Sequence, residues 1–154
     1  GFEILLQSIE APLQDNPNVR VVATREYRFT ISNGQRLRFR LRANPIKTIN
    51  DAVGRLNRNG TVKKCRVPII KEEDQDAWLE RKLSMVCAIE TLNIQRELPL
   101  YFKKKKDERA GKIQTVLFDG ILKVNEADCF TDSLKKGIGP AKAFGCGMLS
   151  IAPV

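Results

Sequence analysis

Residues 36–42 read Arg-Leu-Arg-Phe-Arg-Leu-Arg, a strict alternation of cation and apolar side chain. Successive side chains of a β-strand point to opposite faces, so this period predicts a strand with two unlike faces. Leu37, Phe39 and Leu41 form a face that needs a core. Arg36, Arg38, Arg40 and Arg42 form the other, spaced roughly 6.5–7 Å apart at the usual strand rise. The strand runs on through Ala43 to Ile49, where Pro45 calls for an edge or a bulge.

Patterning elsewhere predicts further elements. Residues 2–8 (Phe2, Ile4, Leu5, Leu6) read as a strand, residues 15–18 as a turn, and residues 19–31 as a strand or strand pair. Asn33-Gly34 is a hairpin signal. Residues 50–66, polar and basic with Gly54 and Gly60, read as a loop. Glu72 to Val86 reads as a helix, with acids first, Arg81 and Lys82 later, and an apolar stripe of Trp78, Leu79, Leu83, Val86 and Cys87. Strands are expected around 89–101 and 112–124, joined by a basic link. Asn125 is the expected N-cap of a second helix reaching Leu134. A glycine-rich loop and a strand from Met148 to Ile151 close the chain.

From residue 36 onward this order is β-α-β-β-α-β, the split βαβ or ferredoxin-like pattern. Residues 1–35 offer strands alone and read as the remnant of another such unit. The expected class is therefore α+β. It consists of tandem ferredoxin-like (RRM-like) domains, the first incomplete over 1–35 and the second over 36–154. A start at Gly1 rather than Met fits a fragment.

Charge sharpens the picture. The net charge is +9, yet residues 36–66 alone hold ten Lys/Arg against Asp51, and residues 100–115 hold six against Asp107 and Glu108. Two basic stretches on a less basic remainder are the footprint of a nucleic-acid surface. Arg is well suited to bidentate phosphate contact. The competing reading of the arginine face is pairing with acids on a neighbouring strand. No acid lies between Glu26 and Asp51 to do this locally.

Composition also excludes chemistries. There is no histidine, so a His-dependent triad or His-ligated metal site cannot be built from these residues. Cys65, Cys87, Cys129 and Cys146 lack zinc-like spacing and read as reduced thiols, fitting a cytoplasmic location. No metal or cofactor is expected, and no apolar run approaches the roughly 18 residues of a membrane helix. The loop Gly137 to Gly147 holds Gly137, Gly139, Gly145 and Gly147 around Lys142 but matches neither a dinucleotide fingerprint nor a P-loop. It could cradle a phosphate or simply pack a helix end against the last strand. The link Lys103-Lys104-Lys105-Lys106 through Arg109 to Lys112 could enter an RNA groove or be a solvated tip. Tyr101-Phe102 beside it could stack on bases, though core packing is the simpler role.

Four segments carry a resemblance to a known family. They are Arg38 to Ile49, Cys65-Arg66-Val67-Pro68-Ile69-Ile70-Lys71, Gly111-Lys112-Ile113-Gln114-Thr115-Val116, and the Gly137–Gly147 loop with Leu149. Together they resemble the CasE family, the CRISPR-RNA-processing endoribonucleases of type I-E Cascade. The resemblance spans most of residues 36–154 and is looser over 1–35. It implies tandem ferredoxin-like domains that bind a CRISPR repeat stem-loop and cut at its 3′ base without metal. A ribose 2′-hydroxyl attacks the adjacent phosphate, and the product stays bound beside other Cascade subunits, including the adjacent backbone subunit. It implies RNA contacts for Lys103–Lys112 and for Gly137–Gly147. With the arginine row and Lys47, the candidate RNA-binding residues are Arg36, Arg38, Arg40, Arg42, Lys47, Lys103, Lys104, Lys105, Lys106, Arg109, Lys112, Gly137, Gly139, Lys142, Gly145 and Gly147. The family's catalytic histidine, with its supporting tyrosine, lies in a first strand–helix unit that nothing here matches. The expectation is a nuclease whose RNA-holding part is this chain. The alternatives are a non-catalytic ferredoxin-like RNA-binding module and an architectural RNA-binder, which explains the charge but not the collinear motifs.

Overall fold

A computed structural model describes residues 3–8, 10–12, 17–28, 30–103 and 110–154. The chain divides into two compact units, Gly1–Thr30 and Ile31–Val154.

Among the described residues, the strands expected over 2–8 and 19–31 do not form. Residues 3–8 and 19–28 are irregular, with a turn at 17–18; Phe2, Asp15 and Asn16 lie outside the described residues. Ile4, Leu5 and Leu6 are 87, 80 and 77% exposed. Strand propensity is realised only through a partnering ladder, and among the described residues these segments have none.

The second unit is built on a four-stranded sheet. Its strands are β1 (Arg36–Ala43), β4 (Cys87–Arg96), β7 (Val116–Val124) and β8 (Leu149–Pro153), in the order β4-β7-β1-β8 with every neighbour antiparallel. Helix α1 (Glu72–Leu83) lies in sequence between β1 and β4, and α2 (Ala127–Lys136) between β7 and β8. Each helix connection therefore skips one strand, and the two crossovers interleave. Two hairpins are inserted: β2 (Ile46–Asn50) with β3 (Lys64–Pro68), and β5 (Leu100–Lys103) with β6 (Ala110–Ile113).

β1 alternates exposed and buried along its whole length, as its sequence demands. Leu37, Phe39, Leu41 and Ala43 are at most 3% exposed. They share a core with Phe118 and Leu122 of β7, Trp78, Leu79 and Leu83 of α1, and Phe130 and Leu134 of α2. Each such side chain contributes about 1.5–3 kcal/mol on burial. Trp78 stacks on Phe118 at 6.2 Å between ring centroids, which pins α1 to the inner face of the sheet.

Several boundaries differ from expectation for local reasons. The strand does not run through to Ile49: Asn44-Pro45 breaks it, and β2 leaves to pair with β3, so part of the expected 50–66 loop is strand. α1 stops at Leu83 rather than Val86: the Val86 amide donates to the Leu83 carbonyl at 2.8 Å, a turn bond, and its carbonyl accepts the Asn125 and Glu126 amides at 2.9 and 3.2 Å. Asn125 is not the cap of α2, whose N-cap position falls on Glu126 without a side-chain bond of its own. The cap comes from Asn33, whose Oδ1 accepts the Ala127 amide at 2.7 Å across the fold. Asn33-Gly34 is a turn leading into β1, without a strand before it. Pro99, which lacks an amide to donate, falls where the expected 89–101 strand divides into β4 and β5.

Two predictions follow from this packing. Gly139 has φ +79°, and a Cβ there would meet the Trp78 ring at 3.0 Å; Gly145 has φ +77° but open space around it. Gly139→Val is expected to cost roughly 2–5 kcal/mol through strain plus overpacking, and Gly145→Val roughly 1–3 through strain alone. Urea midpoints check this, and equal losses would show that Trp78 yields freely. Burial pushes the Cys87 thiol up to about 11, whereas Cys129 is exposed. Alkylation of native protein at pH 8 should modify Cys129 and spare Cys87 until urea unfolds the chain, as mass spectrometry of the peptides would show.

Candidate nucleic-acid interface

The arginine row lies on the sheet face away from the helices, as its alternation requires. It is not a bare row of cations. Arg36 Nε donates to Glu90 at 2.7 Å, Arg40 Nε to Asp119 at 2.6 Å, and Arg42 grips Glu97 through Nε and Nη2 at 2.7–3.0 Å. Hydrogen bonds to these carboxylates raise Arg40 and Arg42 further above their ordinary range. The acids sit on or just beyond β4 and β7, more than fifty residues away in sequence. Glu90 reaches Arg36 from a register shift between Ile89 and Thr91. Gly120 is required opposite this irregularity, where a Cβ would lie 2.0 Å from the Thr91 carbonyl oxygen. Arg38 alone of the four has no acid partner among the described residues. Lys47 is also engaged, 3.7 Å from Asp74.

The other candidate elements converge. Phe102 of β5 and Phe144 of the glycine loop meet at 4.7 Å between ring centroids. Gly111 on β6 makes room, since a Cβ there would strike the Phe102 ring at 2.3 Å. The β5–β6 hairpin and the Gly137–Gly147 loop thus form one surface, with Lys103 and Lys112 on it. Phe102 takes the packing role, whereas Tyr101 is 67% exposed and lies 5.8 Å beneath the Lys112 ammonium. Lys104, Lys105, Lys106 and Arg109 lie outside the described residues.

Within the loop the chain itself requires several glycines. Gly137 ends α2 at φ +70°. The Ile138 amide donates to the Gly147 carbonyl, and the Gly147 amide to the Arg42 carbonyl, both at 2.7 Å. A Cβ on Gly147 would lie 2.7 Å from the Ile138 carbonyl oxygen. This close approach ties the end of α2 to the end of β1. Ala141 is held at φ +66°, and Lys142 Nζ donates to the Lys136 carbonyl. Lys142 is therefore turned back onto α2.

Two cations missing from the candidate set also face this loop. Arg66 of β3 and Lys82 of α1 line a groove with Ile46, Trp78, Gly139 and Pro140. The available signal was the alternation Lys64-Cys65-Arg66-Val67, hidden inside an expected loop, together with the one-turn spacing from Trp78 to Lys82. Among the described residues there is no group of three or more His, Cys, Asp or Glu able to hold a metal ion, and no helix is long and apolar enough to cross a membrane.

The family model for CRISPR associated protein matches residues 2–153. The chain is 47% identical over 154 residues to the CRISPR system Cascade subunit CasE of Escherichia coli K12, covering all of this chain and 76% of that protein. It resembles the crystal structure of Cas6e from E. coli K-12 with a TM-score of 0.81 at 47% identity, over 96% of this chain and 75% of that one. A structure of the CRISPR endoribonuclease Cse3 bound to a 19-nucleotide RNA matches at TM-score 0.66 and 36% identity, over 84% of this chain and 61% of that one. With collinear motifs, an α+β antiparallel architecture and relatives at this identity, the chain belongs to the CRISPR-associated CasE family.

Proposed function

We propose that this chain is the RNA-holding part of an endoribonuclease that processes CRISPR repeats. The β5–β6 hairpin grips the repeat stem-loop, and the glycine loop holds the strand near the 3′ base of the stem. The cut product stays bound, and the chain sits in Cascade against an adjacent backbone subunit. The Phe102–Phe144 contact carries this reading, because it fuses a basic hairpin and a glycine loop, far apart in sequence, into one surface. The names of the relatives support it: a Cascade subunit, and an endoribonuclease bound to RNA.

The chemistry is transesterification. The ribose 2′-oxygen attacks the adjacent phosphorus as its proton is removed, and the 5′-oxygen leaves as it gains one, giving a 2′,3′-cyclic phosphate. The nucleophile belongs to the RNA, so the step needs neither water nor a metal-bound hydroxide. The protein's tasks are in-line positioning and proton transfer. Histidine is absent from all 154 residues, so we place the proton-transfer group outside them. Residues 36–154 form a ferredoxin-like domain in this reading, supported by the β4-β7-β1-β8 strand order and interleaved crossovers. Residues 1–35 belong to a preceding domain of the same kind. The absence of histidine also favours a second reading, a non-catalytic RNA-binding module.

Gel assays with labelled repeat-hairpin RNA in EDTA test both readings. The 154-residue chain is expected to shift the RNA without cutting it. Joined to the histidine-bearing strand–helix unit of a CasE relative, it is expected to cut. Cleavage by the chain alone would overturn the placement of the proton-transfer group. Absence of a shift would overturn the RNA-holding reading, and binding without cutting by the joined protein would favour the non-catalytic module.

Within the arginine row, Arg38 is the residue left to meet a phosphate. Arg38→Ala is expected to lower the slope of log affinity against log salt by about 1 while leaving the melting temperature unchanged. Arg42→Ala should instead act mainly on stability, by up to about 1 kcal/mol, as an exposed ion pair does. Equal salt slopes for wild type and Arg38→Ala would remove the row from the interface.

A further inference from the structure

Arg66 and Lys82 face a groove between the β2–β3 hairpin, α1 and the glycine loop. Its space is about 410 Å³, bounded by Ile46, Arg66, Trp78, Lys82, Gly139 and Pro140. It is an open groove rather than an enclosed cavity. Arg66 comes from β3, on the hairpin face that it shares with Ile46, Thr48 and Lys64 by strand register. Lys82 comes from the last turn of α1, one turn beyond Trp78. Neither cation has a salt-bridge partner among the described residues. The acids of α1 do not serve them: none of Glu72, Glu73, Asp74, Asp76 and Glu80 forms a salt bridge with either cation, and Asp74 faces Lys47. Asp51 is likewise committed, gripped by Arg55 through Nε and Nη2 at 3.0 and 2.6 Å. Two cations facing one recess repel each other unless an anion lies between them.

The walls indicate which anion. Ile46, Pro140 and Trp78 supply the apolar part of a lining that is otherwise polar. Trp78 is only 3% exposed, so no base can stack on its face. Gly139 brings bare backbone to the lip, because Trp78 leaves no room for a side chain there. Its amide has no internal acceptor among the described residues. A sugar–phosphate unit suits this mixed lining, with the sugar against Ile46 and Pro140 and the phosphate between the cations.

We propose that this groove is a second RNA contact, in which Arg66 and Lys82 hold one backbone phosphate of the bound strand, independent of base sequence. This rests on the RNA-holding reading above and extends it to residues that reading does not use.

The test uses the full chain, labelled repeat-hairpin RNA, and the double variant Arg66→Gln/Lys82→Gln, which keeps part of each aliphatic stem. The salt slope of binding should fall by about 1, with the same loss of affinity for a hairpin of altered stem sequence. The variant Lys135→Ala should keep the wild-type slope. In wild type, bound hairpin RNA should protect Lys82, but not Lys135, from amine acetylation. That second measurement stands even if the groove variant fails to fold. An unchanged slope, an equal drop in the control, or unprotected Lys82 would overturn the proposal. So would loss of binding to polyglutamate with RNA binding intact, which would make the groove an acidic-protein site. If wild type fails to bind hairpin RNA, the RNA-holding reading itself fails. If wild type binds and the groove variant binds identically, only the groove proposal falls.

Discussion

The second unit depends on β1 being buried on one face and charged on the other while hydrogen-bonded on both sides. It lies between β7 and β8, so both backbone edges are satisfied within the sheet. Its apolar face cannot move, because Leu41 and Ala43 are wholly buried. A slip of one residue would place four guanidiniums in that core. The same constraint forces the arginines outward beside β4 and β7. Acids placed there then relieve their mutual repulsion. Each exposed pair contributes little by itself, of order 0–1 kcal/mol. Their collective effect is to fix the charge of the face, leaving Arg38 as the cation of the row without an acid partner among the described residues.

The end of β1 passes this order to the candidate site. Arg42 donates its side chain to Glu97 and offers its carbonyl to the Gly147 amide. One residue therefore ties the outer face of the sheet to the glycine loop. From there Gly139 abuts Trp78 on α1, and Phe144 meets Phe102 on the β5–β6 hairpin. The glycines act less as flexible points than as places where two backbones or a ring come too close for a Cβ. Such a loop holds fixed geometry, as a surface that positions a phosphate must.

Much of the second unit was legible because its patterns are local. The period of two in β1, the acid-to-base gradient of α1 and the stripe of Trp78, Leu79 and Leu83 each need only neighbouring residues to be read. What escaped was set by distant partners. Asn125 looks like a cap, yet the N-cap position falls on Glu126 and Asn33, 94 residues before Ala127, supplies the capping oxygen. The arginine row looks unpaired because Glu90, Glu97 and Asp119 are separated from it by more than fifty residues. Residues 64–66 look like part of a loop because their ladder partner, β2, reads as the continuation of β1 past Pro45. Ile4 to Leu6 have strand-like composition but no ladder among the described residues, and composition alone does not make a strand.

These corrections move the centre of the interface. A charge count puts it on the arginine row, where four cations stand together. Pair by pair, that row has spent most of its charge on the sheet that carries it. Lys103, Lys112, Arg66 and Lys82, which have no salt-bridge partner among the described residues, lie instead on hairpins and a helix end around the glycine loop. A phosphate approaching Arg42 must compete with a bidentate carboxylate, whereas one approaching Arg66 or Lys82 displaces only water. The affinity of this surface for RNA is therefore governed less by how many cations the chain carries than by how many the fold has left without a carboxylate.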